Sequence, residues 1–93
     1  MIPYARPKIF KQDIINVNKV LKSQYLTTGP EILKFEKKLS SLCKSRYALT
    51  SNSATSALHL CCLALGLSKN DYVWTSSITF VASANCALYC GAK

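Results

Sequence analysis

Charged residues are scarce in this sequence, at 17% of 93 residues, where soluble domains usually carry about 25%. With 49% hydrophobic residues, so little charge excludes an intrinsically disordered tail. Long hydrophobic runs are also lacking: the longest, residues 57–67, is interrupted by His59 and is far short of the roughly 20 residues that span a bilayer. The first residues contain no apolar segment typical of a secretory signal.

The length allows one small domain at most, and so short a chain leaves much of its surface exposed after folding. So much apolar content therefore needs further cover, either from a tight oligomer or from a longer protein. The cysteine count is five, and an odd number without a secretory signal argues against a disulfide framework. We expect reduced, buried thiols in a cytoplasmic protein.

The net charge of +8 comes from 12 Lys and Arg against 4 Asp and Glu. Drawn as helices, residues 11–24 and 31–44 each place their apolar side chains on one face and most of their lysines on the other. A basic nucleic-acid-binding module is one interpretation. Two solvated helix faces are the simpler one, because the chain has only two arginines and no aromatic residues interleave with the lysines as stacking requires.

The order of elements predicts an α/β fold with a parallel sheet. We expect helices at residues 11–24, 31–44, 54–65 and 80–90, and short strands at residues 46–50 and 72–75. Thr28 and Glu31 have capping-box spacing ahead of the second helix. Gly66 and Gly91 are expected to follow the ends of the last two helices. The third helix is apolar nearly all round, which predicts burial on several sides.

A strand–turn–helix at residues 49–58 is rich in small hydroxyl residues. Because a helix N-terminus presents free N–H groups and a partial positive charge, such a turn can bind phosphate. It contains neither a Walker A loop nor the three glycines of a Rossmann turn. Ser, Asn and Thr are also the ordinary N-cap residues, so ordinary capping remains an alternative.

Several segments, in this order along the chain, resemble the sugar-nucleotide aminotransferases of the DegT/DnrJ/EryC1/StrS family. They are Ile2-Pro3-Tyr4, Tyr25-Leu26-Thr27-Thr28-Gly29-Pro30, Phe35-Glu36, Asn52-Ser53-Ala54-Thr55-Ser56-Ala57-Leu58-His59 and Ile78-Thr79-Phe80-Val81-Ala82-Ser83-Ala84-Asn85. The segment 74–93 resembles in particular the branch of this family that acts in pseudaminic acid biosynthesis. The resemblance implies the N-terminal part of the large domain of a fold-type I, aspartate aminotransferase-like transferase that uses pyridoxal 5′-phosphate (PLP). It divides the chain into an arm and helix at 1–29 and the beginning of the PLP-binding domain at 30–93.

The resemblance also implies roles for individual residues. Ser53, Ala54 and Thr55 would hold the cofactor phosphate, and Phe80 would stack on the pyridine ring. Without the resemblance, a Phe at a helix start is more simply a core residue. The residues implied to line the sugar-nucleotide site are Tyr4, Gln24, Tyr25, Leu26 and Thr27. Residues 26–30 are equally well explained as a connector between helices.

The implied reaction is transamination at C4 of a UDP-linked 4-keto-6-deoxy amino sugar, with L-glutamate as amino donor. None of the ten lysines matches the family's Schiff-base position, and Lys93 only precedes its next strand. Asp13 and Asp71 do not match the partner of the pyridine nitrogen. No catalytic residue is therefore assigned, and the chain is expected to be part of a longer enzyme, implied to be a homodimer that binds neither nucleic acid nor membrane.

Metal binding is a further alternative. His59 and Cys62 are three residues apart, and Cys86 and Cys90 are four apart, so each pair shares a helix face. A tetrahedral zinc site of one histidine and three cysteines is conceivable from this spacing. No C-x₂-C pair is present, however, and small apolar cysteines are common on buried helices.

Overall fold

The protein forms four helices in a computed structural model that describes residues 2–3 and 5–93. They are α1 (Lys11–Leu21), α2 (Pro30–Cys43), α3 (Ala54–Ala64) and α4 (Ala82–Tyr89). Each lies within a predicted helix or begins one residue earlier. The chain divides into two units, residues 1–48 with α1 and α2, and residues 49–93 with α3 and α4.

In the first unit, α1 and α2 are amphipathic, as their sequences predict. The carboxylate of Asp13 accepts a hydrogen bond from the Phe10 backbone N–H at 2.8 Å, which satisfies a donor at the start of α1. Neither helix has a buried residue, so their apolar faces remain uncovered within the described residues of this chain. Their lysine-bearing faces are exposed as well.

The predicted capping box of Thr28 and Glu31 is wrong. Gly29, not Thr28, is the N-cap of α2, and no side chain caps the helix. Thr28 has a φ of 49°, which is outside the extended region that an N-cap residue normally adopts. Glu31 instead binds Lys34 one turn along the same helix.

In the second unit, α3 and α4 pack on each other around a small core of alanine and cysteine. The rings of His59 on α3 and Tyr89 on α4 meet edge to face, with centroids 5.3 Å apart. The buried residues of the core are Cys62, Ala82, Cys86, Ala87 and Ala92. All five cysteines of the chain are free thiols, but Cys43 and Cys61 are exposed, contrary to the expectation that the thiols are buried.

A glycine follows the C-cap residue of both helices of the second unit, as predicted. Gly66 and Gly91 have φ values of 74° and 79°, which an L side chain rarely adopts. Leu67 N–H donates to the Cys62 carbonyl and Ala92 N–H to the Ala87 carbonyl, which is the Schellman arrangement at both ends. The prediction that α3 is buried on several sides is wrong, because only Cys62 of this helix is buried.

The predicted strands at residues 46–50 and 72–75 are not formed, and the described residues contain no β-strand. A strand needs a neighbour along its length to pair its backbone groups. One trace of pairing exists near the second segment. Val73 N–H donates to the Lys93 carbonyl and Lys93 N–H to the Asp71 carbonyl, each at 2.9 Å, in the pattern of parallel neighbours.

Candidate functional site

The first candidate site is the turn that starts α3. Ser53 is the N-cap, with extended backbone (φ −159°, ψ 158°), and its hydroxyl accepts a hydrogen bond from the Ser56 N–H at 3.2 Å. The first helical hydrogen bond runs from Ala57 N–H to the Ser53 carbonyl at 3.0 Å. The N–H groups of Ala54 and Thr55 therefore precede the helical ladder and have no intrahelical acceptor.

The surroundings of this turn suit an anion. The first turn of α3 has no acidic residue, so nothing there opposes the partial positive charge of the helix end. Ser53 and Ala54 are exposed and Thr55 is half-buried. The Ser51 hydroxyl donates to the Ser53 carbonyl at 2.9 Å, which holds the residues before the cap in a tight turn.

Phe80 lies just before α4 in the same unit. Phe80 is 74% exposed and lies outside the small core of this unit. Its carbonyl accepts a hydrogen bond from Ser83 N–H at 3.0 Å, and the neighbouring Thr79 and Ser83 hydroxyls lie 3.2 Å apart. These bonds fix the backbone of Phe80 at the start of the helix and leave the ring free to stack on a planar ligand.

The second candidate site is a cavity of about 320 Å³ in the first unit. Its walls come from the end of α1, the connector and the first turn of α2. Tyr25, Leu26 and Thr27 line it, whereas Gln24 does not. Tyr4, the remaining residue predicted to bind substrate, lies outside the described residues. The connector thus brings three of the five predicted substrate residues to one concave surface.

Sequence reasoning missed the charged residues of this cavity. Lys19, Glu31 and Lys34 also line it, and the Lys34 ammonium donates to the Glu31 carboxylate at 2.6 Å. That hydrogen bond, with the positive charges of Lys34 and Lys19, lowers the pKa of Glu31 below its ordinary 4.5. The i, i+3 spacing of Glu31 and Lys34 was the sequence signal that could have revealed the pair.

The zinc alternative is not supported. Across residues 2–3 and 5–93 no three His, Cys, Asp or Glu side chains are arranged to hold a metal ion. His59 packs against the Tyr89 ring, and Cys62 and Cys86 are buried in the core of the second unit. Among residues 2–3 and 5–93, no helix has the length and apolar character needed to cross a bilayer.

Several curated proteins are similar to this chain over nearly its whole length. A UDP-4-amino-4,6-dideoxy-N-acetyl-beta-L-altrosamine transaminase of Campylobacter jejuni is 44% identical over 93 residues, which is 100% of this chain and 24% of that protein. The spore coat polysaccharide biosynthesis protein SpsC of Bacillus subtilis is 37% identical over 91 residues, or 98% of this chain and 23% of that protein. The chain thus spans about a quarter of the length of the curated relatives it matches.

Solved structures of a sugar aminotransferase are also similar to this chain. A sugar aminotransferase of Streptococcus pneumoniae in its PLP form superposes with a TM-score of 0.90 at 33% identity, covering 99% of this chain and 24% of that one. Its PMP form gives a TM-score of 0.91, also at 33% identity, over 99% of this chain and 23% of that one. The helices described above therefore follow the corresponding part of this aminotransferase. The model of the DegT/DnrJ/EryC1/StrS aminotransferase family matches residues 7–93, and the chain belongs to that family.

Proposed function

We propose that this chain provides the cofactor-phosphate turn and part of the sugar-nucleotide site of a PLP-dependent aminotransferase. The observation that carries the proposal is the N-terminus of α3, where Ser53 caps the helix and the N–H groups of Ala54 and Thr55 have no intrahelical acceptor. The PLP and PMP forms of a structurally similar sugar aminotransferase support the choice of cofactor.

The residues present fit the phosphate and the ring in different ways. Ala54 and Thr55 offer backbone donors, Thr55 adds a hydroxyl, and the small side chain of Ala54 leaves the backbone accessible. The exposed ring of Phe80 would stack on the pyridine and fix its plane. When bound, PLP supplies an electron sink for amino-group transfer. This chain binds and orients the cofactor, and no proton transfer is assigned to it.

The proposed substrates are a UDP-linked 4-keto-6-deoxy amino sugar, aminated at C4, and L-glutamate as amino donor. The similarity to an altrosamine transaminase of Campylobacter jejuni supports a UDP-linked amino sugar as the substrate class. We assign Tyr25, Leu26 and Thr27 to the sugar-nucleotide site, because they line a cavity whose volume lies in the usual range for ligand pockets. Gln24 and Tyr4 are retained as proposed neighbours of the substrate. We propose a cytoplasmic homodimer for the complete enzyme, with a role in surface-glycan precursor synthesis.

The phosphate assignment is tested by comparing PLP with pyridoxal, which lacks the phosphate. Thr55→Val removes the hydroxyl and keeps the side-chain shape. We expect it to weaken PLP binding about tenfold, equivalent to about 1.4 kcal/mol, and to leave pyridoxal binding unchanged. Thr75→Val, an exposed threonine of the same unit, is the matched control. Equal binding of PLP and pyridoxal by the unmodified chain would refute the phosphate site.

A further inference from the structure

Gly29 is in unusually close contact with Tyr25. A Cβ at Gly29 would lie 2.8 Å from Tyr25 Cβ and 3.3 Å from the Tyr25 carbonyl oxygen. Both atoms are fixed by the backbone, so no change of rotamer relieves the contact. Gly29 itself has a φ of −83°, which any residue adopts. Space beside Tyr25, not backbone conformation, is therefore what requires a glycine here.

Tyr25 is also held from its other side. The Ser23 hydroxyl accepts a hydrogen bond from Tyr25 N–H at 3.2 Å and donates to the Tyr25 carbonyl at 3.3 Å. Ser23, Tyr25 and Gly29 all line the 320 Å³ cavity. The backbone of Tyr25 is thus hydrogen-bonded to Ser23, and its Cβ lies against the bare backbone of Gly29.

We infer that Gly29 is a positioning residue for substrate binding. Its missing side chain lets Tyr25 occupy the wall of the cavity, and any larger residue displaces Tyr25 from it. The ligand class is a nucleoside diphosphate sugar, so this part of the inference rests on the proposed function. Gly29 acts through Tyr25 and is given no contact with the ligand.

The position of Tyr25 is measured without any ligand. The chain is labelled with 3-fluorotyrosine, and the ¹⁹F signal of Tyr25 is identified with Tyr25→Phe. Gly29→Ala is expected to shift this signal. Gly66→Ala is the control, because it strains a backbone with φ of 74° but meets no atom within 4 Å, so it lowers stability without moving Tyr25. An unchanged Tyr25 signal in Gly29→Ala would overturn the inference.

The effect on the ligand is measured by titrating the same proteins with UDP. Gly29→Ala is expected to raise the UDP dissociation constant about tenfold, because the displaced Tyr25 no longer forms the wall of the cavity. A Tyr25→Gly background removes the 2.8 Å contact with Cβ and leaves only the 3.3 Å contact with the carbonyl oxygen, so Gly29→Ala should add much less loss there. An equal loss in that background would show that Gly29 acts other than through the Tyr25 side chain. Failure of the unmodified chain to bind UDP would overturn the proposed substrate, while the ¹⁹F result would still decide the position of Tyr25.

Discussion

The hydroxyl of Ser53 is hydrogen-bonded to Ser56 through two atoms: it accepts from the Ser56 N–H at 3.2 Å and lies 3.1 Å from the Ser56 hydroxyl. Ser53 therefore serves the helix directly, as its cap. The same relationship commits the Ser56 N–H inside the turn and leaves the donors of Ala54 and Thr55 for an anion. Capping and phosphate binding, which were alternatives in the sequence, are thus compatible at this turn.

Removing the cap should destabilise the chain. Ser53→Ala leaves the Ser56 N–H without its acceptor, and loss of an N-cap typically costs about 1 kcal/mol. Urea unfolding followed by circular dichroism should show this loss. Ser53→Asp is the informative companion, because aspartate caps well and restores stability, while its charge repels phosphate and weakens PLP binding. An Ser53→Ala variant as stable as the original chain would show that the cap contributes nothing.

The edge-to-face contact of His59 and Tyr89 should couple α3 to α4. Aromatic pairs of this geometry contribute about 0.5–1.5 kcal/mol beyond their buried area. A double-mutant cycle of His59→Ala and Tyr89→Ala, read by urea unfolding, is expected to give a coupling energy in that range. The cycle of His59→Ala with Tyr47→Ala is the control, since Tyr47 contacts Arg46 in the other unit. Additive losses from His59 and Tyr89 would contradict the contact.

Local signals explain why the helices were predictable. The apolar periodicity of α1 and α2 and the glycines after α3 and α4 act within a few residues of each helix, so they are visible in the sequence. Gly66 and Gly91 have the positive φ values that end these helices. The strands at 46–50 and 72–75 failed for the opposite reason. Strand formation depends on partners distant in the sequence, and the backbone of residues 71–73 bridges to Lys93 without forming a strand.

The candidate sites likewise contain features that the sequence predicts and features that it does not. Ser53 was predictable as a cap because its type and position determine its local hydrogen bonds. The space that Gly29 leaves for Tyr25 was not predictable, because it depends on the three-dimensional conformation of residues 23–29. Phe80 illustrates a further limit: its exposure follows from what packs around it, which the residue type does not reveal.

Neighbouring cysteines of α3 should differ in reactivity. Cys61 is exposed, whereas Cys62 is buried, and burial, reinforced by the nearby Cys86 sulfur, raises the pKa of the Cys62 thiol above its ordinary 9.0. The thiolate is the reactive form, so Cys62 should react slowly with Ellman's reagent at pH 8. The fast phase should lose one thiol in Cys61→Ser and none in Cys62→Ser. Equal rates for the two thiols would contradict the burial of Cys62.

The raised pKa of the Cys62 thiol should make the free energy of unfolding fall at alkaline pH. Below pH 9.0 the Cys62 thiol is protonated in both the folded and the unfolded chain, so its contribution is fully present there. As the pH rises above 9.0 the unfolded thiol ionises first, and stability is lost up to the raised pKa of the folded state. Cys62→Ala should therefore lose less stability than the original chain between pH 8 and pH 10. Urea titrations at both pH values measure this difference, and parallel losses would refute it.

The ion pair of Glu31 and Lys34 should be visible in an acid titration. The hydrogen bond from Lys34 lowers the pKa of Glu31 below 4.5, so the pair stabilises the folded chain above pH 4.5 and the contribution disappears as the pH falls through the lowered value. Both side chains are largely exposed, so salt should weaken the effect. Lys34→Met removes the donor and should raise the pKa of Glu31 toward 4.5, as followed by the ¹³C shift of its carboxyl carbon.

Lys37→Met is the control for the charge of α2. Lys37 belongs to the same helix but neither lines this cavity nor takes part in the ion pair, so its removal should leave the Glu31 titration nearly unchanged. Equal shifts from the two variants would mean that the general charge of α2, and not the contact with Lys34, sets the pKa of Glu31.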